Sequence, residues 1–224
     1  MVYVSINGRT VAVIINEKIR IAIFCSGSGT NFQSLYKKMI ENNFPAEIVL
    51  CVSDKAHCGA MIFAKEHSID TLSINEHQCS SKEIFAEILL EHLELKRIDI
   101  IVLAGYLKKI PSKVIAHYKN KILNIHPALL PKFGGKGMYG TNVHRAVIAA
   151  EEKKSGATVH FVDEEYDTGK ILLQQSITLS TNETAETLAK KILALEHDLY
   201  FEALKKVMTS YIRERKNEPQ LLEA

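Results

Sequence analysis

The sequence predicts an α/β fold: a doubly wound, mostly parallel sheet with helices on both faces. Three observations predict it. Residues 19–25 (IRIAIFC), 46–52 and 98–104 (IDIIVLA) are short and almost wholly apolar, as strands covered on both faces are. Segments with apolar residues at helical spacing lie between them. A glycine-rich turn, residues 26–31, sits where the first of these strands feeds a helix. Strand–helix alternation of this kind closes into a parallel sheet with right-handed crossovers.

In chain order, residues 2–6 (VYVSI), Asn7-Gly8 and residues 10–15 read as a β-hairpin around a type I′ turn. After the strand at 19–25 comes a helix with Phe32, Leu35, Met39 and Ile40 on one side. Residues 46–52 form the next buried run. Residues 59–67 and 80–95 are helical, the second opened by Ser80 or Ser81 with Glu83 behind as a capping signal. Residues 98–104 and 121–125 are strands, and the latter runs directly into His126-Pro127. Beyond Pro131, Gly134, Gly135, Gly137 and Gly140 make a flexible loop before a helix at 142–151. Two strands, 157–163 and 171–179, are separated by an acidic turn. A long amphipathic helix covers 183–208, and the residues from Arg213 onward are polar. The division expected is an extension at 1–18, one domain at 19–210, and a tail at 211–224.

Composition narrows the class. The net charge of +2 asks for no nucleic acid, so any anion site must be local. Four cysteines without framework spacing read as reduced thiols in a cytoplasmic protein. His57, Cys58, His67, His77 and Cys79 lack the paired spacing of a zinc site, and no metal is expected. No apolar run approaches the roughly 18 residues that a membrane-spanning helix needs. The first residues lack the basic-then-apolar order of a signal peptide.

Chemistry-bearing residues gather at predicted strand ends. In the turn at 26–31, small residues let main-chain N–H groups approach an anion, and the helix N-terminus adds partial positive charge. A tight strand-to-helix turn capped by Thr30 or Asn31 reads the same residues equally well. Phe32 stands where a dinucleotide fingerprint needs its third glycine, and no P-loop lysine follows Gly29. Alternation puts Asn124 and His126 on one strand face, with Pro127 ending the pairing. Asp167-Thr168-Gly169 is also the aspartic-protease tripeptide, but one copy among many helices does not fit that all-β class. It reads equally as a β-turn. Thr158, His160 and Val162 share a face, and His160 has either a chemical role or a bracing one.

At these residues the chain resembles the phosphoribosylglycinamide formyltransferases, folate-dependent enzymes of purine synthesis with a Rossmann-like fold. The matching stretches are residues 26–31 (SGSGTN), 102–107 (VLAGYL), 123–131 (LNIHPALLP), 156–162 (GATVHFV) and 167–169 (DTG), in family order from 19 to 208. The resemblance implies transfer of the formyl group of 10-formyltetrahydrofolate to the amine of glycinamide ribonucleotide. It places Asn124, His126 and Asp167 at catalytic positions and Gly29, Thr30 and Asn31 in the substrate-phosphate loop. Glu196 falls at the ribose hydroxyls. Leu107, Lys108, Lys109 and Ile110 fall along the pterin pocket, which Asn124 also reaches, and Lys82 toward the folate tail. A monomer or homodimer is implied, without nucleic acid, membrane or metal.

In the chemistry so implied, the amine attacks the formyl carbon, and Asn124 with a protonated His126 donates to the developing oxyanion. Asp167 is expected to favour the charged imidazole and to take the amine's proton directly or through water. Three rivals share parts of the pattern. A methionyl-tRNA formyltransferase needs an RNA-binding domain. A formyltetrahydrofolate deformylase usually carries a larger N-terminal domain than 18 residues form. A non-catalytic folate- or nucleotide-binding module has no need of the intact Asn–His–Asp set.

Overall fold

The computed structural model describes residues 2–6, 9–13 and 18–217, with side chains described for 18–211. Strands β1 (Val2–Ile6) and β2 (Arg9–Val13) pair antiparallel, Ile6 opposite Arg9. The turn expected at Asn7-Gly8 lies outside the described residues.

A seven-stranded sheet carries everything that follows. Its strands are β3 (Ile19–Phe24), β4 (Ala46–Ser53), β5 (Asp70–Ser73), β6 (Ile100–Leu103), β7 (Ile122–His126), β8 (Lys154–Phe161) and β9 (Ile171–Thr178). The helices are α1 (Thr30–Glu41), α2 (Gly59–Glu66), α3 (Lys82–Leu95), α4 (Ser112–His117), α5 (Thr141–Ala149) and α6 (Ala185–Asn217). Strand order is β5-β4-β3-β6-β7-β8-β9, parallel from β5 to β7 and antiparallel at β7–β8 and β8–β9. The chain winds outward in both directions from β3 and β6, so the switch point lies between their carboxyl ends. In open α/β sheets that crevice is where ligands collect.

Alternation divides the strands between two cores. Ile21, Ile23 and Cys25 join Ile100 and Val102 beneath α1, α2 and α6, whereas Ala22 and Phe24 join Ile101 and Leu103 beneath α3 and α4. Burial on both faces is what made these strands read as continuous apolar runs. Ser81 caps α3 as expected, its hydroxyl accepting from Ile84 N at 3.2 Å.

Some details differ from the sequence reading. Ile40 is 60% exposed, because Phe32, Leu35 and Met39 already fill the face of α1 that meets the sheet. α6 continues to Asn217, past Met208, so polar residues from Arg213 extend a helix begun by its apolar stripe. Residues 70–73 and 112–117 form an edge strand and a short helix that the sequence did not signal. Four and six residues are too few to show a period.

Candidate active site

Asn124, His126, His160 and Asp167 converge because β8 runs antiparallel to β7. That pairing sets Asn124 directly opposite His160, and His126 opposite Thr158. Asp167 comes from the turn between β8 and β9, held in the left-handed region at φ 60°. Gly169 makes this turn possible: a Cβ there would lie 1.8 Å from the Phe161 carbonyl oxygen. Thr168 Oγ1 donates to Asp163 Oδ1 at 2.7 Å and closes the turn from its other side.

The hydrogen bonds fix the orientation of each group. Asp167 Oδ2 accepts from Gly135 N at 2.9 Å and lies 3.5 Å from His126 Nδ1. Its Oδ1 lies 3.4 Å from Asn124 Nδ2 and 3.5 Å from His160 Nε2. An ionised carboxylate only accepts, so the Asn124 amide nitrogen, not its oxygen, faces it. His126 Nε2 lies 2.8 Å from the Phe133 carbonyl oxygen, which also only accepts. Nε2 therefore carries a hydrogen, and in the neutral ring Nδ1 bears the lone pair beside Asp167. His160 Nδ1 faces the Phe161 carbonyl at 2.8 Å by the same logic, leaving Nε2 to accept from Asn124 Nδ2 at 3.1 Å.

Electrostatics corrects one expectation. His126 was expected to be held protonated by Asp167. Burial is the larger effect: the ring is 3% exposed, and desolvation lowers its pKa despite the upward pull of Asp167 and of the Phe133 carbonyl. The 3.5 Å contact is therefore a carboxylate beside a neutral imidazole near pH 7. Asp167 is itself partly buried, which pushes its pKa up. The His160 contact, His126 in its protonated form at the acid pH where a carboxylate titrates, and the Gly135 N–H together outweigh that and hold it below the ordinary carboxylate range.

These groups open on a cavity of about 850 Å³ at the switch point. Ser26 and Gly105 tie its two flanking loops together, with Ser26 N donating to Gly105 O at 3.0 Å and Leu107 N to Ser26 Oγ at 3.0 Å. Its lining includes Ser28, Asn31 and Glu196 from α1, its preceding turn and α6, and residues 107–110 with Tyr166 from the loops after β6 and β8. Asn31 Nδ2 donates to Glu196 Oε2 at 3.0 Å. Glu196 is 7% exposed, and burial raises its pKa to about 7 even with that hydrogen bond pulling downward.

Three residues singled out from the sequence stand apart from this lining. Gly29 sits behind it at the N-cap of α1, with φ 76° and a would-be Cβ 2.8 Å from Ala60 Cβ. Its glycine is thus demanded by the turn and by α2. Thr30 does not line the cavity, although its neighbours Ser28 and Asn31 do. Lys82 is also off the wall, its side chain 79% exposed and its ammonium 3.8 Å from Glu76. Conversely, the cavity includes His144 of α5, which the sequence reading passed over. A histidine at 6% exposure between the buried Val143 and Val147 was the available signal: a polar side chain within an apolar stripe. No helix among the described residues is long and apolar enough to cross a membrane, and no cluster there has the makings of a metal site.

Residues 19–204 match the family described as Formyl transferase, a span that takes in every strand of the large sheet and the site just described. The chain belongs to the formyl transferase family. Among relatives within it, phosphoribosylglycinamide formyltransferase of Bacillus subtilis (strain 168) is 34% identical over 189 residues, covering 84% of this chain and 94% of that protein. The chloroplastic phosphoribosylglycinamide formyltransferase of Vigna unguiculata is 38% identical over 205 residues. That match covers 92% of this chain but 66% of the plant protein, so the chain spans about two thirds of its length. In three dimensions, the crystal structure of phosphoribosylglycinamide formyltransferase from Bacillus halodurans superposes with a TM-score of 0.79 at 36% identity. It covers 84% of this chain and 95% of that one, so the two chains share one fold.

Proposed function

We propose that the chain transfers the formyl group of 10-formyltetrahydrofolate to the amine of glycinamide ribonucleotide, a step of purine biosynthesis. One observation carries the reading. Asn124 and His126 each lie within 3.5 Å of Asp167, and all three line one cavity of about 850 Å³. The names of its relatives support formyl transfer and a phosphoribosylglycinamide acceptor, and the donor follows from the resemblance to folate-dependent enzymes. The α1 wall suits the ribonucleotide: no side chain caps α1 and no acid sits in its first turn, leaving main-chain N–H groups for a phosphate. Glu196 lines the same cavity as Asn31, and in this reading its carboxylate accepts from the ribose hydroxyls. The wall at 107–110 takes the pterin, by main-chain groups beside a partly apolar surface.

The formyl donor supplies an electrophilic carbon, and the acceptor amine is its own nucleophile, so no enzyme nucleophile is required. The neutral His126 offers the Nδ1 lone pair to the amine's excess proton, acting as a general base. Asp167, 3.5 Å away, then stabilises the imidazolium that forms, which gives the proton to the folate nitrogen as its bond to the formyl carbon breaks and tetrahydrofolate leaves. Asn124 has both amide hydrogens engaged in the free protein, at 3.1 and 3.4 Å. To donate to the developing oxyanion it gives up the longer and weaker contact, with Asp167. His160 keeps the amide oriented meanwhile. Holding both substrates in one cavity supplies much of the remaining acceleration.

The test is purified protein with 10-formyltetrahydrofolate, with and without glycinamide ribonucleotide, following the tetrahydrofolate product. Product only in the presence of the ribonucleotide supports transfer. Product formed equally without it identifies a hydrolase, and no product in either arm leaves a binding module.

A further inference from the structure

The segment following His126 carries the carbonyl that fixes this residue, and two side chains from the antiparallel strands hold that segment. Thr158, on β8, lies opposite His126 in the register and is fully buried. Its hydroxyl donates to Ala128 O at 2.6 Å and accepts from Leu130 N at 3.2 Å and Gln174 Nε2 at 2.9 Å. Gln174, on β9, also donates to Leu130 O at 3.0 Å. One hydroxyl and one amide thus engage three main-chain groups of Ala128 and Leu130, residues only 0% and 6% exposed. Ala128 O and Leu130 N are bonded by a fully buried hydroxyl, so without it they have no solvent to turn to and the segment must move to satisfy them.

The chain runs from Leu130 to Phe133, whose carbonyl takes the Nε2 hydrogen of His126 at 2.8 Å. Phe133 is held at φ 57°, a left-handed conformation that a non-glycine residue keeps only where its surroundings impose it. The carbonyl's aim therefore depends on what anchors the segment before it.

We propose that Thr158 and Gln174 are positioning residues for His126. They hold the segment from Ala128 to Phe133 so that the Phe133 carbonyl keeps His126 in its Nε2–H tautomer, with the Nδ1 lone pair beside Asp167. Neither residue lines the cavity, so neither meets a substrate. The hold on the segment and on the Nε2 hydrogen stands on the hydrogen-bond geometry; the single tautomer also requires the neutral ring that burial favours, and its kinetic consequence rests on the reading of His126 as the base.

The experiment uses Thr158→Val, which keeps shape and removes the hydroxyl, Thr158→Ser, which keeps the hydroxyl, and Gln174→Leu. Nitrogen-15 NMR of histidine-labelled protein without substrates reads the His126 tautomer directly. The native protein and Thr158→Ser are expected to show a single Nε2–H form, and Thr158→Val and Gln174→Leu a mixture. In the transfer assay, Thr158→Val and Gln174→Leu are expected to lower kcat by about tenfold or more, with both KM values within about twofold. Thr158→Ser should retain nearly native kcat. Leu89→Ala, on the core-facing side of α3, serves as a control for lost stability and should leave kcat per folded molecule unchanged. If Thr158→Val does not fold, Gln174→Leu on the outer strand decides the matter. A single Nε2–H tautomer and native kcat in the folded variants overturn the proposal. A tautomer that responds in a protein unable to transfer formyl groups overturns the functional reading and leaves the positioning role standing.

Discussion

Replacing Glu196 by glutamine isolates the electrostatics of the ribonucleotide wall. The carboxyl is 7% exposed, and its one hydrogen bond comes from Asn31 Nδ2 at 3.0 Å. Burial raises its pKa from 4.5 to about 7, which corresponds to about 3 kcal/mol of preference for the neutral form in the fold. The sign follows from proton binding. Between these two pKa values the folded chain holds a proton that the unfolded chain has released, so stability falls as pH rises. The contribution is fully present below about pH 4.5 and is lost once pH has risen through about 7. Glutamine keeps the shape and an acceptor for Asn31 but has no charge to bury. Urea unfolding of both proteins at several pH values reads the effect as a difference, in which the other titrating groups cancel. Relative to the native protein, Glu196→Gln should gain about 3 kcal/mol between about pH 4.5 and pH 8. A flat difference across that window would refute the reasoning. The functional counterpart is a KM for glycinamide ribonucleotide that rises below about pH 7, where the carboxyl becomes protonated, and that is less pH-dependent in Glu196→Gln.

Further predictions concern the catalytic set and the turn. His126→Ala and Asn124→Ala should each lower kcat by about two or more orders of magnitude, measured by tetrahydrofolate formation, with native-like circular dichroism. Because burial favours neutral His126, kcat should fall on the acid side as pH drops through a histidine pKa lower than the ordinary 6.5; an acid limb at or above that value would contradict the burial argument. Asp167→Asn combined with His126→Ala should cost much less than the two losses together, and additive losses would separate their roles. Gly29→Val should unfold more readily than the native protein rather than change KM cleanly, since its Cβ meets Ala60 at 2.8 Å. Gly27→Ala, with nothing within 4 Å, should be tolerated in thermal melts. Lys82→Ala should change KM for 10-formyltetrahydrofolate less than Lys108→Ala does, because Lys108 lines the cavity and Lys82 does not.

The sequence by itself determined the three adjacent inner strands of the sheet, and the reason is that burial on both faces writes strands as unbroken apolar runs: 19–25, 46–52 and 98–104 needed no tertiary information. It also determined that Asn124 and His126 share a strand face before Pro127, since that follows from a period of two. Which residues meet them was decided by the tertiary structure. His160 reaches Asn124 only because β8 turns antiparallel, and no local pattern in 154–161 encodes strand direction. Asp167 joins them from a turn whose approach is set by a glycine in contact with another strand's carbonyl. Burial opposes the charged His126 expected from the sequence, for a related reason. A carboxylate partner can be inferred from motifs, but the depth of burial that outweighs it is a property of the packed molecule. Gly29 shows the same division: the turn was legible, yet only the packing of Ala60 revealed why a side chain has no room there.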